Sequence, residues 1–171
     1  ILLPGLDESP INYPANAYPF RQDSNFLYYF GIAQPGFVGV IDIDSDTCCL
    51  YADDWTMDDL IWMGPQPTVK ERVAKVGVQS NGSKLELAAM LNSAIKKGRT
   101  IHYLPPYRME TKMLVADLVG IAPDRVSDHV SRDLIRAIVS MREIKSAEEI
   151  QQLEEVAVTG YKMHIAAMNM C

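Results

Sequence analysis

Residues 37–54 read FVGVIDIDSDTCCLYADD, and this stretch decides the fold. Residues 37–43 and 47–52 are two short runs rich in β-branched and aromatic side chains. Asp44-Ser45-Asp46 lies between them, a cluster that favours a tight turn over continued strand. The spacing predicts a β-hairpin, the one local pairing the sequence specifies. Alternation along the second run sends Cys48 and Cys49 to opposite faces, one thiol packed and the other toward a different layer or solvent.

Working upstream, residues 1–3 (ILL) read as a short strand. Four prolines among residues 4–19 then remove donors and restrict their neighbours, so an ordered loop is predicted there. The aromatic-rich residues 25–30 are read as a strand beside 37–43, with Gly31 and Pro35-Gly36 supplying the turn.

Downstream, Thr56 and Asp59 have capping-box spacing and open a short helix that Gly64-Pro65-Gln66-Pro67 ends. Residues 68–75 form another helical segment and 76–79 a short strand. Ser83 and Glu86 form a second capping box, followed by Leu87, Met90, Leu91 and Ile95 on one face until Gly98. Residues 100–104 resemble a strand, 109–119 a helix ending at Gly120, and 127–141 a helix with Val130, Leu134, Ile138 and Val139 recurring on one face. Ser146 and Glu149 cap a last helix. Strands and helices intermix, which predicts an α/β domain with a mixed sheet flanked by helices.

Composition narrows the function. The 171 residues are 48% apolar and 22% charged, ordinary for a globular core. Sixteen Lys and Arg against 22 Asp and Glu give a net charge of −6, which argues against a broad nucleic-acid surface. No run of about 18 uncharged apolar residues occurs, so a membrane span is not expected. Three cysteines, two of them adjacent, make neither a disulfide framework nor a zinc spacing, and fit reducing, cytoplasmic surroundings. The chain opens at Ile1 without an initiator Met and closes at Cys171 inside an expected helix, as one domain of a longer protein would.

Chemistry-bearing residues are scattered. Asp53, Asp54, Asp58 and Asp59 invite a metal reading, but strand-end and helix-start positions explain them as caps. Asp42, Asp44 and Asp46 alternate without a complete ligand set. His102, His129 and His164 have no metal or triad spacing, no G-x-S-x-G elbow occurs, and the glycines form no phosphate loop. Arg21 and Asp23 read as an ionic pair pinning the proline-rich loop, with a carboxylate-binding role as the alternative. Trp55 is expected to pack. Trp62, on a sharp exit, either packs or lies over a ligand or partner.

Four ordered blocks carry a resemblance: YPANAYPFRQDSNFLYYFG (13–31), the hairpin at 37–54, DDLIWMGPQP (58–67) and MREIKSAEEIQQLEEVAVTGYKMH (141–164). The chain resembles the amino-terminal, creatinase-like domain of Xaa-Pro aminopeptidases, also called the aminopeptidase P family. The resemblance implies a creatinase-like α/β domain over 1–141. Residues 142–171 would then be a linker and first helix leading toward a pita-bread metallopeptidase domain outside this chain.

For a parent protein the resemblance implies hydrolysis of the bond before a penultimate proline, by two divalent metals, manganese by expectation, held by Asp, His and Glu of that other domain. No residue of this chain aligns to those ligands, so no metal ligand and no catalytic residue is assigned here, and the segment alone is expected to be inactive. Arg21 and Asp23 match an R-x-D-S block and are implied to organise the loop. Trp62 matches the aromatic of an I-W-x-G block, at a substrate entrance or an oligomer interface. Implied partners are the carboxy-terminal catalytic domain, further copies of the chain and a proline-containing peptide, with neither nucleic acid nor membrane. The rival readings are a noncatalytic peptide- or protein-binding module, as in histone-chaperone subunits, and the same domain of a prolidase or creatinase.

Overall fold

The computed structural model describes residues 1–78 and 80–170. They fall into two compact units, Ile1–Ser131 and Arg132–Cys171. The first carries a four-stranded mixed sheet in the order β1-β4-β5-β6: Leu2–Pro4, Val38–Asp42, Thr47–Tyr51 and Ser80–Gly82. β1 and β5 each pair antiparallel with β4, and β6 joins β5 in parallel. β2 (Pro10–Tyr13) and β3 (Asn16–Ala17) form a small separate hairpin within the proline-rich segment.

The central hairpin forms as its sequence predicts, with Val38 opposite Tyr51 and Asp42 opposite Thr47. Alternation divides it between two faces. Leu2, Val38, Val40 and Tyr51 belong to a core cluster with Leu87 and Leu91 of α4 (Lys84–Lys96) and Val115, Ala116 and Leu118 of α5 (Met109–Val119). Leu3, Gly39 and Leu50 share one register row and face the other way, where the Phe30 ring of α1 covers Gly39. Helices thus flank a mixed sheet, an α/β creatinase-like architecture.

Residues 25–30 depart from the strand reading. They lie in helix α1, Ser24–Phe30. Asp23 Oδ1 accepts the Asn25 and Phe26 amides at 2.9 Å, and Gly31 ends the helix in a left-handed conformation at φ 67°. The aromatics sit at helical spacing, which stacks Phe26 and Phe30 at 5.0 Å. Caps outweigh aromatic strand propensity here.

Helices α2 (Met57–Met63) and α3 (Val69–Ala74) follow, each opened by a capping box, Thr56 with Asp59 and Thr68 with Glu71. The strand expected at 76–79 lies elsewhere: residues 76–78 are turn and a break, Gln79 is outside the described residues, and β6 starts at Ser80. Residues 100–104 make one parallel bridge, Leu2 with Tyr103, before Pro105-Pro106 ends the pairing. The expected helix at 127–141 begins late. Pro123–His129 is a 3-10 turn, and α6 spans Arg132–Glu143.

In the second unit, α7 spans Ala147–Met170 and none of its residues is buried. Its start is held by Ser146, whose amide donates to Glu149 and whose hydroxyl accepts the Glu149 amide. Among the described residues no helix is long and apolar enough to cross a membrane.

Candidate functional site

The most exposed aromatic of the named candidates is Trp62, at 86%. Its position follows from local rules. The Thr56–Asp59 box fixes the start of α2, and Gly64 ends it at φ 74°, a backbone conformation that side-chain-bearing residues rarely adopt. Gln66 then donates from Nε2 to the Met63 carbonyl at 3.1 Å and folds the Pro65–Pro67 exit back on the helix end. Met57, Ile61 and Met63 are exposed around Trp62, so the seven-residue helix presents an apolar tip with one large flat side chain.

The neighbouring acids are engaged on helix starts. Asp53 accepts the Lys84 amide at 3.0 Å and Asp54 accepts the Val69 amide at 2.5 Å, so consecutive carboxylates cap α4 and α3. The Asp59 carboxylate accepts the Thr56 amide and hydroxyl, which holds its pKa below the usual aspartate value. Asp42 and Asp44 grip Arg99 instead, and hydrogen bonding by that guanidinium holds Asp42 well below the ordinary carboxylate range.

The proline-rich loop is organised by side chains around the R-x-D-S block. Asp23 caps α1. Arg21 is exposed and reaches Ser24 Oγ at 3.4 Å, and the ion pairs among the described residues do not include Arg21 with Asp23. Gln22, 5% exposed, lies between them: its Oε1 accepts the Leu6 and Asp23 amides, and its Nε2 donates to the Gln34 carbonyl. It ties two points of the proline-rich loop to the connection between α1 and β4. The sequence marks the stretch 21–24 as a polar network without singling out Gln22 at its centre, because a lone glutamine among prolines has no spacing signature.

His102 Nδ1 sits 2.8 Å from Ser131 Oγ, while His129 and His164 are exposed on separate elements. Cys48 and Cys49 are half-buried on β5, and burial raises both thiol pKa values, the opposite of an activated nucleophile. Among the described residues no three His, Cys, Asp or Glu side chains group to hold a metal. The donor set does not fit a two-metal centre.

Trp55 was expected to pack. It is 36% exposed, at the edge of a cavity where the guanidinium carbon of Arg72 lies 6.0 Å from its ring and 4.8 Å from that of Phe37. Arg72 escaped the sequence reading entirely, since a basic residue on a short amphipathic helix looks solvated.

The fold and these sites can be set beside known proteins. Residues 1–102 match the family model "Aminopeptidase P, N-terminal domain". A probable Xaa-Pro aminopeptidase of Aspergillus fumigatus is 29% identical over 140 residues, 80% of this chain and 27% of that protein. The human Xaa-Pro dipeptidase is 29% identical over 93 residues, 54% of this chain and 19% of that protein. A probable Xaa-Pro aminopeptidase of Aspergillus flavus is 40% identical over 53 residues, 31% of this chain and 11% of that protein. The chain therefore aligns with less than a third of the length of these relatives.

Among solved structures, Pseudomonas aeruginosa aminopeptidase PepP superposes with a TM-score of 0.75 at 19% identity, covering 99% of this chain and 40% of that one. An Escherichia coli aminopeptidase P variant gives 0.67 at 20% identity, covering 90% and 37%. At these identities the two structures bear on fold alone, and they share it with this chain. With more than half its residues matched by the family model, the chain belongs to the aminopeptidase P N-terminal domain family.

Proposed function

We propose that this chain is the noncatalytic accessory domain of a proline-directed metallopeptidase, an Xaa-Pro aminopeptidase by preference over a prolidase or creatinase. In this reading it assembles with a carboxy-terminal catalytic domain and further copies of itself, and Trp62 helps shape the entrance for a proline-containing peptide. The observation that carries the reading is the family match over residues 1–102, joined to an exposed tryptophan on a helix tip whose backbone is fixed at both ends. A flat indole with its face free suits the apolar face of a proline ring.

The chemistry of such a parent comes from divalent metals, manganese in our reading, which activate water and polarise the scissile carbonyl. Among the described residues no His, Cys, Asp or Glu side chains group as a ligand set for them, and in this reading the chain contributes shape and assembly. The purified 171-residue chain should show no cleavage of Xaa-Pro peptides with manganese or cobalt. Metal-dependent turnover that co-purifies with it through several columns would refute the accessory role.

The second reading, a noncatalytic binding module, is separated by the parent sequence. An intact two-metal ligand series beyond this domain favours the enzyme and a degraded one favours binding.

A further inference from the structure

The cavity bordered by Trp55 has a volume of about 300 Å³ and lies wholly within the first compact unit. Arg72 forms part of its wall and is 9% exposed, yet its guanidinium has neither hydrogen bond nor ion pair among the described residues, and Nε is fully buried without a partner. A buried guanidinium nitrogen left unpaired is costly, because it has given up water without a replacement, and Nε is such an atom, while the terminal nitrogens are not fully buried. Phe37 and Trp55 offer the guanidinium ring faces, which satisfy charge in part and leave the Nε–H without a protein acceptor among the described residues.

The nearby acids do not answer it. Asp53 and Asp54 each present one oxygen to a helix amide, and Asp59 serves its own capping box. Burial lowers the pKa of Arg72, and the charge of Asp54 only opposes that. Lys84 supplies a second cation to the cavity wall, also outside any ion pair of the described residues.

We propose that this cavity binds a small zwitterion, a free amino acid or dipeptide, whose carboxylate pairs with Arg72 and Lys84 and whose ammonium meets the second oxygens of Asp53 and Asp59 and the carboxylate of Glu8. The planar guanidinium fork is matched to a carboxylate. Glu8, Asp53, Asp54 and Asp59 outnumber the two cations, and that surplus of negative charge selects against phosphate while welcoming a ligand that brings its own ammonium. The volume is at the small end of ligand cavities, which limits the guest to one or two residues. The reading of the parent as a peptidase plays no part in this assignment.

The test follows the Trp55 indole N–H of the 171-residue chain by NMR during titration with glycyl-leucine, its carboxy-terminal amide, its N-acetyl derivative and inorganic phosphate. Glycyl-leucine should give saturable shifts, and the amide should bind at least about tenfold more weakly, the loss expected for a charge-assisted pair. The N-acetyl derivative should also weaken, and phosphate should not compete. Arg72→Met keeps the stacked stem and should abolish the shifts. Lys84→Gln, on the cavity wall, should weaken binding about threefold to tenfold, and it decides the matter with the amide comparison if Arg72→Met does not fold. The assignment is overturned if the amide binds within about twofold of the free peptide, if phosphate displaces it, or if nothing saturates below about 50 mM.

Discussion

A Cβ built on Gly39 would lie 2.0 Å from Cε2 and 2.1 Å from Cζ of Phe30, against the roughly 3.5–4.0 Å of ordinary carbon contact. Gly39→Ala must therefore open the α1–β4 contact by about 1.5 Å. The ring has nowhere to go, since Phe30 is 2% exposed and Phe26 packs beside it at 5.0 Å. Gly39 does not have a positive φ, so the added methyl acts by overlap and not by backbone strain. Overpacking of this size costs about 3 kcal/mol, the upper part of the usual range. For a chain of this length that lowers Tm by about 6–12 °C. Urea unfolding followed by far-UV circular dichroism measures it. Adding Phe30→Leu should recover about 1–2 kcal/mol relative to the sum of the single changes, the coupling expected of residues in contact. A Gly39→Ala protein within about 0.5 kcal/mol of wild type, or strict additivity in the double variant, would remove the helix from this strand and restore a different pairing for residues 25–30.

Asp23→Ala should cost about 1 kcal/mol by freeing two α1 amides, whereas Asp23→Asn, which still caps, should cost only a few tenths, both read from urea midpoints. Trp62→Ala should leave the chain's stability within about 0.5 kcal/mol, because the side chain is 86% exposed. In a full-length parent the same change should alter KM for Xaa-Pro peptides while metal content stays constant, and unchanged kinetics across several peptide lengths would count against an entrance role. Acid should destabilise the fold through its capping boxes. Asp59, Glu71 and Glu86 all have pKa values lowered by hydrogen bonds from Thr56, Thr68 and Ser83. The unfolded chain thus binds protons more readily, so their contribution is present above the ordinary carboxylate values near 3.8 and 4.5 and is lost as pH falls through the lowered folded values. Replacing Glu71 and Glu86 by Gln, which removes the titrating groups, should flatten the acid limb of a midpoint-against-pH curve. An unaltered slope would show that other carboxylates set it.

The sequence exposed those features that are encoded within a few residues. The hairpin at 38–51 follows from two β-rich runs and a polar turn, the α2 and α4 starts from Thr56–Asp59 and Ser83–Glu86, and α5 from Met109 to the Gly120 stop. It misled where one local signal overrode another. In residues 25–30 the aromatic content masked an Asp cap, a Gly stop and the i, i+4 spacing of Phe26 and Phe30, all of which were in plain view. β6 was misplaced because a three-residue edge strand paired in parallel with β5 draws its register from tertiary contact. The exposed position of Trp62 needed the Gly64 conformation, and the plight of Arg72 needed the rings of Phe37 and Trp55, which come from distant segments. Nothing in local spacing encodes such a meeting.

The adjacent thiols of β5 have a practical consequence for handling the protein. Sulfurs on opposite faces of an intact strand are aimed apart, so oxidation in air cannot close a ring between Cys48 and Cys49 without first dismantling the sheet. Half-covered and held protonated, they suit a thiol-reactive dye whose uptake, in a Cys171→Ser background, times the opening of the central strands.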